Sequence, residues 1–159
     1  MSREDQVRQS DVESIDSIIT AAYEVISGEA GEKRDWARLR SLFAPEARMI
    51  PTTREAGVRL PDDLTPEPLS VDSYIARVEE YFQHNGFYEI EIARRTEQFG
   101  RIAHAFSSYE SRHNPQDAEP FMRGINSIQL YNDGWRWWII NIFWQHEQAD
   151  EPIPEKYLT

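Results

Sequence analysis

The chain has 159 residues, 40% apolar and 12% aromatic, which makes one domain with enough apolar side chains for a core. Its 17 basic and 28 acidic residues leave a formal charge of −11, which repels phosphate backbones and anionic lipid and argues against nucleic-acid and membrane partners. There is no cysteine, so disulfides and thiolate chemistry are excluded.

No apolar run nears the roughly 20 residues of a membrane-spanning helix. The first ten residues are polar and lack the apolar middle of a signal peptide, so we expect a disordered N-terminus over 1–10 and a cytoplasmic protein. A single domain is expected over 11–148, and 149–159 should form an extended arm, since Pro152 and Pro154 oppose a helix there.

Val12, Ile15, Ile18, Ile19, Ala22, Val25 and Ile26 recur at helical spacing and predict an amphipathic helix that stops at Ser27-Gly28. A second, shorter helix opens at Asp35 as N-cap and buries Trp36, Leu39, Leu42 and Phe43. Ala44-Pro45 ends it, and Arg48 to Pro51 reads as a short strand. The stretch 52–69 carries Pro61, Pro66 and Pro68 among acidic residues, which rules out a helix and predicts a loop or lid. A third helix runs from Ser70 to Asn85-Gly86, with Tyr74, Ile75, Val78, Tyr81 and Phe82 as its apolar stripe.

The remainder reads as strands. Tyr88, Ile90 and Ile92 alternate with Glu89 and Glu91, so the two glutamates are expected on the solvated face. In the next strand Ile102, His104, Phe106, Ser108 and Glu110 share one face. The run from Phe121 to Tyr131 turns through Asn132-Asp133-Gly134 into Arg136 to His146. That last strand is apolar on both sides: Trp138, Ile140, Ile142 and Trp144 on one, Trp137, Ile139 and Phe143 on the other. Short turns between long strands require antiparallel pairing. The expected fold class is therefore α+β, with three helices packed on one face of a four-strand meander. Trp137, Ile139 and Phe143 would then form a bare apolar patch, covered by a second copy in a homodimer through the sheet face or by the tail folding back.

This element order, closing on Asn132-Asp133-Gly134-Trp135-Arg136-Trp137-Trp138-Ile139-Ile140, resembles the cone-shaped superfamily of nuclear transport factor 2, ketosteroid isomerase, scytalone dehydratase and polyketide-cyclase-like proteins. The resemblance covers about Val12 to Glu147. It implies a curved antiparallel sheet wrapped around the helices, with a conical pocket open at one end. Laid on the ketosteroid isomerase pattern, Asn126 falls where the isomerase has its acidic oxyanion-hole residue, and Ile140, Ile142 and Trp144 fall on the pocket wall. His104, Phe106 and Ser108 join that wall, and Tyr23 lies near the isomerase's oxyanion tyrosine. The isomerase's catalytic aspartate falls near Pro51, where this chain has no carboxylate. The steroid isomerase reaction is therefore not expected.

Within this frame His104 is the candidate proton carrier, because an imidazole on an apolar wall has a lowered pKa. A core histidine bonded to Tyr, Asn or backbone is the plain alternative. Asn126 and Tyr23 are the candidate polarising groups for a carbonyl. Trp36, Phe106, Ser108, Trp138, Ile140, Ile142 and Trp144 are the candidate lining for a small apolar ligand, although each aromatic could equally be core. Arg123 is expected to pair with Glu110 or Glu119. The histidines 84, 104, 113 and 146 stand on different elements without ligand spacing, and there is no phosphate loop, so neither a metal nor a cofactor is expected. Two readings remain: a ligand-binding cone protein doing acid–base chemistry of the isomerase, dehydratase or cyclase kind, or a dimeric, non-catalytic interaction module with a filled core.

Overall fold

In a computed structural model, which describes residues 7–52 and 66–159, three helices begin where short polar side chains can satisfy free backbone N–H groups. Ser14 Oγ accepts from the Ser17 backbone, Asp35 Oδ1 from that of Arg38 and Ser70 Oγ from that of Ser73, each at 3.0 Å. They cap α2 (Ile15–Ile26), α3 (Trp36–Leu42) and α4 (Val71–His84). A one-turn helix, α1 (Gln9–Val12), precedes them, so ordered structure begins inside the segment expected to be disordered. Leu42 ends α3, and Phe43 already belongs to the following strand. The central part of the expected lid, 53–65, lies outside the described residues.

The strands are β1 (Phe43–Pro51), β2 (Tyr88–Phe99), β3 (Ile102–Arg112), β4 (Met122–Asn132) and β5 (Trp137–His146). They form one sheet in the order β1-β5-β4-β3-β2. The meander β2 to β5 is antiparallel, as the short turns require. Gly134, at φ 101°, supplies the left-handed residue that the β4–β5 hairpin needs. β1 is longer than the sequence suggests and pairs with β5 in parallel, so the sheet is mixed with five strands.

The helices lie on one face of this curved sheet, which makes the α+β fold class of the sequence reading that of the protein. Ile18, Ile19, Leu39, Leu42, Tyr109, Leu130 and Ile139 are essentially without solvent contact. Burying each of the aliphatic side chains among them contributes about 2 kcal/mol. Among the described residues, no helix is long and apolar enough to cross a membrane.

Two features of the sheet overturn the expected facing of residues. First, β3 turns Ala103, Ala105, Ser107, Tyr109 and Ser111 towards the helices, all of them buried. Ile102, His104, Phe106 and Ser108 therefore point outward. Small side chains on the inner face let the helices and the Tyr109 ring approach. Second, β5 contains a bulge. Gln129 faces Asn141 but Leu130 faces Ile139, leaving Ile140 as the extra residue. The simple alternation fails there, so Trp137 and Ile139 are buried together with Ile142, while Ile140 and Phe143 are exposed. The patch of Trp137, Ile139 and Phe143 does not form.

The tail covers part of the outer face. A 3₁₀ turn at Glu155–Tyr157 interrupts the expected arm. Ser108 Oγ donates to the Tyr157 carbonyl at 2.6 Å, the Phe106 and Tyr157 rings meet edge-on at 5.0 Å, and Ile153 is buried. Arg123 pairs with Glu147, at 2.8 and 2.9 Å, rather than with Glu110 or Glu119, and Glu147 also accepts from the Ile153 backbone.

Candidate functional site

The sheet's inner face carries a polar cluster built from four elements. Asn126 on β4 stands opposite Ser107 on β3, and both side chains face α2. Asn126 Nδ2 donates to Tyr23 Oη at 3.0 Å, and Tyr23 Oη lies 2.6 Å from Ser107 Oγ. Ser107 in turn donates to Glu91 on β2. Its single proton is thereby used, so the Tyr23 hydroxyl must be the donor to Ser107. Tyr23 and Asn126, two of the sequence-derived candidates, are thus in direct contact.

Glu89 is the residue that sequence reasoning missed. It is 9% exposed, whereas its neighbour Ile90 is 52% exposed, so this stretch of β2 has the opposite facing to that expected from its alternation. Its strand is held at this facing by the end of α2. Ser27 Oγ accepts from the Glu89 backbone N–H, and Gly28 pairs with Phe87. Burial pushes the Glu89 carboxyl from the ordinary 4.5 up to about 8, and the Asn126 amide, donating towards the carboxylate, offsets part of that rise. Tyr23, Tyr74 and Tyr109 surround the site, and each is raised above the ordinary tyrosine value by burial first and by the Glu89 charge second. Ser111 lies directly across from Glu89 on β3, and its fully buried hydroxyl has no hydrogen-bond partner among the described residues. A buried hydroxyl without a partner costs about 1–3 kcal/mol and marks a place for a polar group.

The other candidates divide between the two faces. Ile142 and Trp144 face inward, Trp144 packing edge-on against Tyr74 at 6.1 Å. Trp36 is buried under α4, stacked on Phe82 with its indole donating to Glu79. His104 is on the outer face with its side chain 55% exposed, beside Glu97 at 3.9 Å. The imidazole is therefore neither on an apolar wall nor near Asn126, and it does not belong to the cluster. Phe106 and Ser108 lie under the tail, and Ile140 is on the bulge. Trp138 stays at the hairpin, its indole bonded to Asp133 and its ring covered by Arg136 at 3.5 Å.

Open hollows among the described residues include two of note. One of about 690 Å³ runs along α3 and α4 past Arg40, Asp72, Glu79 and Trp138. The other, about 340 Å³, lies beside the tail, and its lining includes Phe106, Phe143, Ile153 and Tyr157. Neither is lined by Glu89, Asn126 or His104. Among the described residues, no group of three metal-ligating side chains comes together.

These features define an α+β protein with a curved sheet folded over its helices and an ionisable cluster on the inner face. The fold is that of nuclear transport factor 2-like proteins. The chain is similar to an NTF2-like protein of unknown function from Pseudomonas putida, at 12% identity over 88% of this chain and 89% of that one, with a TM-score of 0.61. It is also similar to a Caulobacter vibrioides protein with a cystatin-like fold, at 13% identity over 87% and 90% and a TM-score of 0.59. A candidate ketosteroid isomerase from Parabacteroides distasonis aligns over 92% and 98%, at 12% identity and a TM-score of 0.56. The chain matches no family model and no curated protein. At such identities the likeness concerns the fold alone.

Proposed function

We propose that this protein binds a small, largely apolar carbonyl compound inside the cone and moves a proton on it with Glu89. The observation that supports this reading is a buried carboxyl group with no cationic partner among the described residues, held near neutrality. A group with such a pKa holds its proton at pH 7 and releases it about one unit higher, which suits transfer in both directions. Asn126 would polarise the carbonyl, and the vacant Ser111 hydroxyl would accept or donate one further bond. Ile142 and Trp144 would hold the apolar body. The carboxyl enters from β2, whereas Met49 to Thr52, where the isomerase pattern has its base, offers none. No cofactor is part of this chemistry.

The test is exchange of α-protons for deuterium in a panel of small ketones and aldehydes, with wild type and Glu89→Gln compared. Exchange that disappears in Glu89→Gln supports the reading. Equal rates in the two proteins overturn it.

The second reading, a non-catalytic module with a filled core, is favoured by one observation: both described hollows open away from Glu89. In either reading a homodimer through the outer sheet face remains part of the proposal, using Ile102 and Ile140, which are exposed. Light scattering of wild type and Ile102→Glu checks it: a dimer that becomes a monomer supports the interface, and an unchanged mass removes it.

A further inference from the structure

Hydrogen bonds that end on a fixed charge have a fixed direction. Glu91 is such an end. Arg94 grips it with donors at 2.8, 2.9 and 3.1 Å, and Arg94 is itself anchored to Asp16 on α2. Glu91 can only accept, so Ser107 must give it its proton. Ser107 then has only lone pairs left for Tyr23, so Tyr23 donates to Ser107 and offers only an acceptor to Asn126. Asn126 must therefore present its NH₂ group, not its carbonyl, to Tyr23 and to the side of the cluster where Glu89 lies. Neither orientation of Asn126 is favoured by packing alone, since the two ends of a carboxamide have the same shape.

We infer that Glu91 is a positioning residue: through Ser107 and Tyr23 it sets the orientation of the Asn126 amide and so decides that Glu89 faces a hydrogen-bond donor. The inference builds on the role given above to Glu89, but concerns a different residue and has its own readout. The ionisable groups that feel the Glu89 charge are Tyr23 from α2, Tyr74 from α4 and Tyr109 from β3; Glu91 stands two residues along its own strand, and the nearest cation in this group, Arg34, acts on Tyr74. None of these is a cation beside the carboxyl, so the amide is the group that favours its ionised form.

The sign of the effect separates this from plain electrostatics. Removing a neighbouring negative charge lowers a carboxyl pKa. Releasing the chain does the reverse: with Glu91→Gln, Ser107 can donate to Tyr23, Tyr23 to the Asn126 carbonyl, and the amide turns its oxygen towards Glu89. The Glu89 pKa should then rise, by about one unit for the loss of one hydrogen bond to a charged group.

The experiment is carbon-detected NMR titration of the glutamate carboxyls in the full chain, with Glu89 assigned by the signal that Glu89→Gln removes. Glu91→Gln and Ser107→Ala should both raise Glu89 relative to wild type, and Ser107→Thr, which keeps the hydroxyl, should hold it at the wild-type value. If Glu91→Gln perturbs the fold by freeing Arg94, the two Ser107 variants decide alone. An unchanged or lowered Glu89 in Ser107→Ala, or a fall in a folded Glu91→Gln, overturns the positioning role. The role is read from the difference between proteins and stands or falls whatever the wild-type value. An ordinary wild-type value near 4.5 instead removes the acid–base role of Glu89.

Discussion

His104 and Asn126 lie on adjacent strands but on opposite faces of the sheet, the first half-exposed beside Glu97 and the second buried against Tyr23. Their separation is fixed by β3–β4 register, in which Asn126 faces Ser107 and His104 faces Gln129. An odd-numbered residue of β3 turns inward, and an even-numbered one turns out. His104→Ala should accordingly leave urea stability within about 0.5 kcal/mol of wild type, as for other surface sites. It should also leave the Glu89 titration in place. A shift in that titration would mean that the imidazole reaches the cluster.

Glu89 gives stability a specific pH slope. Its folded value, about 8, lies above the unfolded 4.5, so the folded state binds more protons between these values. The contribution is fully present below pH 4.5 and is lost as pH rises to about 8, by roughly 3–5 kcal/mol for a shift of this size. Urea midpoints of wild type should fall between pH 5 and pH 8, and the fall should be much smaller in Glu89→Gln. Parallel pH profiles for the two proteins would show that the carboxyl is not buried as described.

Asp11 works with the opposite sign. Arg38 binds it through two hydrogen bonds of 2.9 Å and holds its carboxyl below the ordinary 3.8 against the opposing effect of burial. The stability it provides is present above pH 3.8 and disappears as pH falls through the lowered folded value. Asp11→Asn should cost about 2–4 kcal/mol at pH 7, because Arg38 would lose its buried partner and keep only the exposed Glu24. Near pH 2 the variant and wild type should converge, and urea unfolding at the two pH values measures both.

Gly124 is required by a close approach. A Cβ there would lie 2.4 Å from Tyr109 Oη and 2.5 Å from the Gln145 carbonyl oxygen, and the second cannot move without shifting β5. Gly124→Ala should therefore destabilise by about 1–3 kcal/mol, as overpacking does. It should also disturb the signals of Tyr109 and Glu89 in NMR spectra. Wild-type stability in this variant would mean that the strands are further apart.

Much of the fold was legible because it rests on local patterns. The caps at Asp35 and Ser70, the helical stripes and the Asn132-Asp133-Gly134 turn all act within a few residues. The facing of β2, β3 and β5 was not legible, because it depends on partners distant in sequence. Apolar alternation marked Ile90 and Ile92 as buried, yet the end of α2 fixes Glu89 inward through Ser27 and Gly28. In β3 the larger apolar residues drew attention to the outer face, while alternating small residues, Ala103, Ala105, Ser107 and Ser111, were the actual sign of a surface lying under helices. One inserted residue, Ile140, exchanged the faces of half of β5. Tyr23 and Asn126 come into contact at positions that do not depend on that bulge.

The tail replaces the cover that a bare sheet face would otherwise need. Tyr157 packs on Phe106 and takes a hydrogen bond from Ser108, Arg95 donates to the Lys156 carbonyl, and Ile153 is buried. Deleting 150–159 removes these contacts at once and uncovers Phe106. The loss of two well-packed side chains should lower stability by about 2–5 kcal/mol, and the uncovered surface should increase binding of a hydrophobic dye. Tyr157→Ala should produce part of both effects. Ser108→Ala tests the hydrogen bond alone and should cost about 1 kcal/mol. If the deleted protein keeps its urea midpoint and binds no more dye, the arm is not packed on the sheet in solution, and the outer face is open along its whole length to a second copy.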